Sequence, residues 1–242
     1  MATTIDNDTE LSAVNSILGS IGQSPVNSLN FDNPEIEFVY NVLTEVNKDV
    51  QNEGWLFNLE EDQETTMDGG TLTAGGVGDG TTTGVEGVSI TNASGASAWT
   101  GKIDLADTVL SITLRRGGKT EKKVESTVIR KDGSDTRLYD LTNNTFLWDI
   151  TNAVKYTLDV VTLYAFENIP TVFQRYITYR SAVRAATQLI ANPQLVSLLQ
   201  LQEVTARANC LEYEGKQGDH SFFGLPNSKR LPSQLLQRTQ QS

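Results

Sequence analysis

VQNEGWLFNLEED, residues 50–62, decides the fold. An apolar pattern of helical period runs into Glu53-Gly54, and the chain then places Trp55, Leu56 and Phe57 on three successive positions. Gly54 fits a helix stop in the left-handed conformation. Two large aromatics directly behind it predict a joint, with Gly54, Trp55 and Phe57 pinning a helical layer to a β layer.

Upstream of the joint, Pro34 to Glu53 carries Ile36, Val39, Tyr40, Leu43, Val46 and Val50 at helical spacing, with Pro34 at the first helical position. Before it, Leu11, Val14, Ile17, Leu18 and Ile21 predict a shorter amphipathic helix, capped by Asp8 or Thr9 and stopped at Gly22. Far downstream, the run between Pro170 and Pro193 places Phe173, Tyr176, Ile177, Val183, Ala186 and Ile190 on one side. Residues 193–214 carry Leu195, Leu198, Leu199, Leu201, Ala206, Ala208, Cys210, Leu211 and Tyr213, an apolar face broad enough for two neighbours.

Between these pairs the period changes from 3.6 to 2. Leu110, Ile112 and Leu114 alternate up to a Gly117-Gly118 hairpin turn, with Val124 and Val128 on the return strand. Val154, Tyr156, Leu158 and Val160 alternate before a phase shift at Val161, Leu163 and Ala165, as at a bulge. From Gly69 to Gly101 lie 10 of the 19 glycines, which predicts a long loop or hairpin with a short strand near Val85 to Ile90.

The expected fold is therefore α+β: an antiparallel helix bundle from both chain ends (1–58 and 169–214), an inserted antiparallel β-rich domain (59–168, with a Gly/Thr-rich insertion at 69–101), and an extended C-terminal tail (215–242). The tail holds Phe222, Phe223, Leu225, Leu231, Leu235 and Leu236 among polar residues, a spacing suited to ordering on a partner or draping over its own bundle.

The net charge of -11 has the wrong sign for gripping phosphate backbones. A single cysteine, Cys210, excludes an internal disulfide and CxxC metal sites, and leaves the redox compartment open. No secretion signal and no run of 18 apolar residues is evident, so a soluble protein is expected. Gly75-Gly76-Val77-Gly78-Asp79-Gly80 lacks the lysine of a phosphate-binding loop, and no cofactor or metal is expected. The one histidine, His220, stands in the tail beside Asp219, where a solvated residue is the default reading.

Glu60, Glu61, Asp62 and Glu64 read as a solvated acidic rim ahead of a glycosidase pair. Asp132-Gly133-Ser134-Asp135 reads as a β-turn ahead of a calcium loop, since the further ligands are missing. Arg115, Arg116, Lys119, Lys122 and Lys123 surround the Gly-Gly turn, either as a solvated hairpin tip or as a contact with an acidic neighbouring copy.

Four stretches carry a family resemblance: Glu10 to Asn15 with Ile17-Leu18 and Ile21-Gly22; Gly54-Trp55 with Phe57-Asn58 and Glu60; Leu138-Tyr139-Asp140 with Thr142; and Ile169-Pro170 before Phe173 and Tyr176. Cys210 to Glu214 is a weaker fifth. In their order and spacing the chain resembles the tail tubular protein A family, the head-to-tail adaptor of short-tailed double-stranded DNA bacteriophages. The glycine-rich segment departs from shorter members and looks like an insertion.

The resemblance implies a structural virion protein without catalytic residues, assembled in the host cytoplasm into the tail. It implies a ring of twelve copies joining the portal to the tail nozzle (tubular protein B), with tail fibres near that junction and viral DNA passing through the lumen unbound. The tail residues from Phe222 to Leu236 are then candidates for docking on the portal. A β module binding carbohydrate or tail-fibre protein through residues 69–101 is the alternative, and an acid-base hydrolase comes third.

Overall fold

The structure is a computed structural model that describes residues 9–68, 71–74, 87–92, 100–116, 123–149, 155–190 and 192–217. It is α+β, with two compact units. One unit takes residues 1–50, 55–57 and 165–242, and the other takes 51–54 and 58–164.

Among the described residues, four helices form the first unit: α1 (Glu10–Ser20), α2 (Pro34–Gln51), α3 (Thr171–Leu189) and α4 (Pro193–Gln217). A 3-10 turn, Phe166–Asn168, precedes α3. Thr9 caps α1, its side-chain oxygen accepting from the Ser12 amide at 3.2 Å. Gly22, at φ +81°, ends it while the Gln23 amide reaches back to the Leu18 carbonyl at 2.8 Å. Val14, Ile17, Val39, Leu43, Val46, Val50, Phe173 and Ile177 are buried, as the helical spacing predicts. Ile190, expected on the buried side of α3, falls past the last helical residue and is exposed. Among the described residues no helix is long and apolar enough to cross a membrane.

Among the described residues, the second unit holds ten strands in two antiparallel sheets. They are β1 (Leu59–Asp68), β2 (Thr71–Ala74), β3 (Val88–Asn92), β4 (Thr100–Leu105), β5 (Val109–Arg116), β6 (Lys123–Val124), β7 (Thr127–Asp132), β8 (Asp135–Asp140), β9 (Leu147–Asp149) and β10 (Lys155–Thr162). One sheet runs β2-β1-β10-β5-β6; the other runs β3-β4-β8-β7, with β9 on β4. Their shared core includes Ile103, Leu105, Ile112, Leu114, Leu138, Trp148, Tyr156 and Leu158. The phase shift expected in β10 is a register break between Val161 and Thr162.

Two local expectations are corrected. Arg116 pairs with Lys123, so residues 117–122 intervene and the connection is longer than a two-residue Gly-Gly turn. Val124 and Val128 also lie on different strands in different sheets, β6 and β7, because Glu125-Ser126 carries the chain from one to the other: the Glu125 amide bonds the Leu114 carbonyl at 2.9 Å, and the Leu141 amide bonds that of Ser126 at 2.9 Å. The segment from Gly69 to Gly101, expected as a long loop or hairpin with a short strand near Val85 to Ile90, holds β3 at that place, paired with β4, and also β2, paired with β1. Its remaining glycines lie largely outside the described residues.

Gly87 opens β3 under a steric requirement. At φ +76° it would place an added Cβ 2.9 Å from Val109 Cγ2 and 3.3 Å from Thr108 Oγ1. Gly87→Ala is expected to cost about 2–4 kcal/mol, from the left-handed backbone and the overlap together, read as a lowered urea midpoint with unchanged slope.

Candidate functional site

In α2 the last apolar position is Val50, and the chain then turns at Gly54, whose φ of +72° is that of the expected left-handed stop. Trp55 follows, 5 % exposed, its Nε1 donating to the Val50 carbonyl at 2.7 Å. That bond ties the indole to the helix end it has just left. The Trp55 ring meets Phe173 edge-on at 4.9 Å, and Phe57 packs tilted against the Phe173 ring at 4.6 Å. Tyr213 of α4 stands perpendicular to Phe173 at 6.0 Å. Phe173, wholly buried, is thus the hub of an aromatic cluster that belongs to the helical unit.

Polar groups frame this cluster. Arg207 lies 6.0 Å above the Trp55 ring and donates to the Tyr176 hydroxyl at 2.8 Å; Arg180 donates to the same hydroxyl at 3.0 Å. Glu214 accepts the Leu56 amide at 2.8 Å. Burial pushes the Glu214 carboxyl above its usual value, and the Leu56 bond offsets that only in part. The Cys210 thiol is wholly buried and donates to the Val172 carbonyl at 3.5 Å, the small structural thiol the sequence suggests.

Two side-chain amides act as backbone clamps that periodicity alone did not reveal. Asn15 on α1 donates to the Val26 carbonyl at 2.9 Å and accepts the Val26 amide at 2.7 Å, holding the loop after the helix. Gln51, wholly buried in the second unit, does the same to Tyr164: its Nε2 donates to the carbonyl at 2.9 Å, and its Oε1 accepts the amide at 2.8 Å. Asn58 adds bonds from Nδ2 to the carbonyls of Gln51 at 2.9 Å and Thr162 at 3.0 Å. A planar amide presents a donor and an acceptor side by side, so it stands in for one rung of a sheet ladder where the strand has ended.

The remaining motif residues are likewise spent on structure. Leu138 is buried in the sheet core, and Tyr139 meets Phe146 edge-on at 4.8 Å beneath Arg130. Asp140 accepts from the Thr142 amide at 2.7 Å and from both the amide and side chain of Asn143, at 3.1 and 2.7 Å. Burial would raise its pKa, but these bonds outweigh that and hold the carboxyl below its usual value.

Asp132-Gly133-Ser134-Asp135 is a β-turn between β7 and β8, with Gly133 at φ +69°. Its carboxylates serve Arg137, which also binds Asp104 across the sheet. Among the described residues no group of three or more His, Cys, Asp or Glu could hold a metal ion.

The basic candidates divide. Arg115 is ion-paired with Asp159 on β10, while Arg116 lies exposed at the end of β5. Lys123 begins β6, and Lys119 and Lys122 fall outside the described residues. So do His220 and the tail positions Phe222, Phe223, Leu225, Leu231, Leu235 and Leu236.

Residues from three separated motifs therefore meet at one aromatic cluster, and those of the others cap, clamp or fill the units. The chain belongs to the tail tubular protein family, whose model matches residues 11–73 and 95–220, and it is a structural component of a bacteriophage tail. The match omits residues 74–94, within the glycine-rich segment. A comparison with curated proteins finds no match.

Proposed function

We infer that this tail protein is the head-to-tail adaptor, of the A subtype, and that twelve copies form a ring between the portal and the tail nozzle. The observation that carries this reading is the convergence of the family's separated motifs on a buried framework: Trp55, Phe57, Phe173, Tyr176, Cys210 and Tyr213 make a stiff helical unit. A closed ring needs heterologous contacts, one face of each subunit meeting a different face of the next, and stiff subunits keep the closing angle constant.

The balance of charge supports the same role. At -11, acidic residues facing a lumen let DNA slide without being held. The basic group around Arg116, Lys119, Lys122 and Lys123 offers an acidic neighbouring copy a complementary contact, and the tail from Phe222 to Leu236 supplies apolar anchors for the portal. Tail fibres attach near the nozzle junction, and assembly takes place in the host cytoplasm.

Native mass spectrometry of the purified chain, alone and mixed with portal rings, tests this reading. A particle of twelve times the 26.5 kDa chain mass, formed alone or on the portal, is the expected result. A chain that stays monomeric and leaves the portal ring's mass unchanged would sink it.

A further inference from the structure

Helix α4 is apolar on two opposite sides. Leu199, Ala206 and Cys210 are buried, while Leu198, Leu201 and Val204 are 62, 65 and 67 % exposed. A row of large apolar side chains left exposed on one side of a helix marks a candidate contact surface. Beside the exposed stripe, α3 and α4 enclose an open groove of about 710 Å³, whose lining includes Val172, Arg175, Tyr179, Leu201, Tyr213 and Lys216. Its lining mixes apolar and aromatic side chains with polar ones, Gln202, Asn209 and Glu212 among them, and suits an extended segment bearing large side chains.

The chain supplies such a segment at the groove's own mouth. Lys216 lines the groove and Gln217 ends α4, so residues 218–242 start where the groove starts. Phe222 is five positions past Gln217, a reach of up to ~17 Å at about 3.3 Å per residue. Leu201 to Lys216 spans ~22 Å at about 1.5 Å per helical residue, so a tail turning back covers this length well before Leu235. Charge does not oppose the return: the segment from Ser221 to Leu225 is uncharged, and the groove lining carries Arg175 and Lys216 against Glu212.

We propose that the α3–α4 groove is the docking site of the chain's own C-terminal tail, with Phe222, Phe223 and Leu225 seated in that order along Val172, Tyr179 and Leu201. This goes beyond the adaptor reading and stands without it. Docked there, the tail keeps its apolar anchors from other copies and from any partner until that partner displaces it.

Native trypsin digestion of the full-length protein, without portal, tests the contact through cleavage after Lys229 and Arg230. In the double variant Leu201→Asp/Thr205→Asp, both positions being exposed on the described chain, cleavage is expected at least tenfold faster with the circular-dichroism melt unchanged. Equal rates would overturn the proposal. Oxidation of Thr205→Cys/Phe223→Cys supplies the second reading, with Cys210 buried out of reach. A disulfide within one chain, at monomer mass, supports the proposal; a disulfide between chains, or none, overturns it. Since no portal enters either experiment, the adaptor reading fails or stands separately.

Discussion

Trp55→Ala is expected to lower the stability of the helical unit by about 3–5 kcal/mol. The ring is almost wholly buried, packs edge-on against Phe173 at 4.9 Å and ties its Nε1 to the Val50 carbonyl at 2.7 Å. Alanine leaves a cavity beside Phe173, takes the partner from the Val50 carbonyl, and removes the surface beneath Arg207. Urea titration followed by far-UV circular dichroism measures the loss. Trp55→Phe separates the contributions: it keeps most of the packing, so its cost should fall to about 1–3 kcal/mol, the share of the lost hydrogen bond and the smaller ring. A neutral Trp55→Ala would mean that the aromatic cluster does not hold the unit together.

Gln51→Leu is the second large effect, and here volume is nearly conserved while hydrogen bonding is not. Leucine takes from Tyr164 both the acceptor of its amide and the donor to its carbonyl, which sit 2.8 and 2.9 Å from the Gln51 amide. At about 1–3 kcal/mol for each buried group left without its partner, the expected loss is ~2–6 kcal/mol in the β unit. Gln51→Glu is expected to be no milder, because it buries a carboxylate that repels the Tyr164 carbonyl. Hydrogen exchange at the Tyr164 amide is the local readout, and protection should fall in both variants. If Gln51→Leu were as stable as the parent chain, packing alone would account for this wholly buried side chain.

How much of this was legible in the sequence depended on whether a residue's neighbours were close along the chain. The helices were readable because Val39, Leu43, Val46 and Val50 repeat at helical spacing and because Pro34 and Gly54 bracket them. The clamps were not. Asn15 and Gln51 sit in helical runs where a polar residue ordinarily marks the solvent side, and the partner of Gln51 lies 113 positions away. Strand β1 was hidden for a related reason: Leu-Glu-Glu-Asp-Gln-Glu reads as an acidic rim, and its pairing with β10 is set by a distant partner and by a register break between Glu60 and Gln63. Helix α4 shows the reverse error. Its broad apolar face was visible, but spacing alone did not tell that the described chain covers only the side holding Leu199, Ala206 and Cys210. The motif residues were recognisable as a set, whereas their meeting at Phe173 required the fold.

The helical unit draws on residues 1–50, 55–57 and 165–242, with the β unit encoded before residue 165. During synthesis α1 and α2 leave the ribosome well before α3 exists, so Val14, Ile17, Val39 and Leu43 wait with their apolar faces uncovered. Residues 58–164 are meanwhile complete and can fold while the nascent chain is still attached. Phe173 and Tyr213 arrive among the last, and with them the contacts that Trp55 has awaited since the chain's first quarter. A subunit assembled in this order stays sticky until its translation is nearly finished, which sets a premium on chaperone occupancy of the emerging N-terminal third.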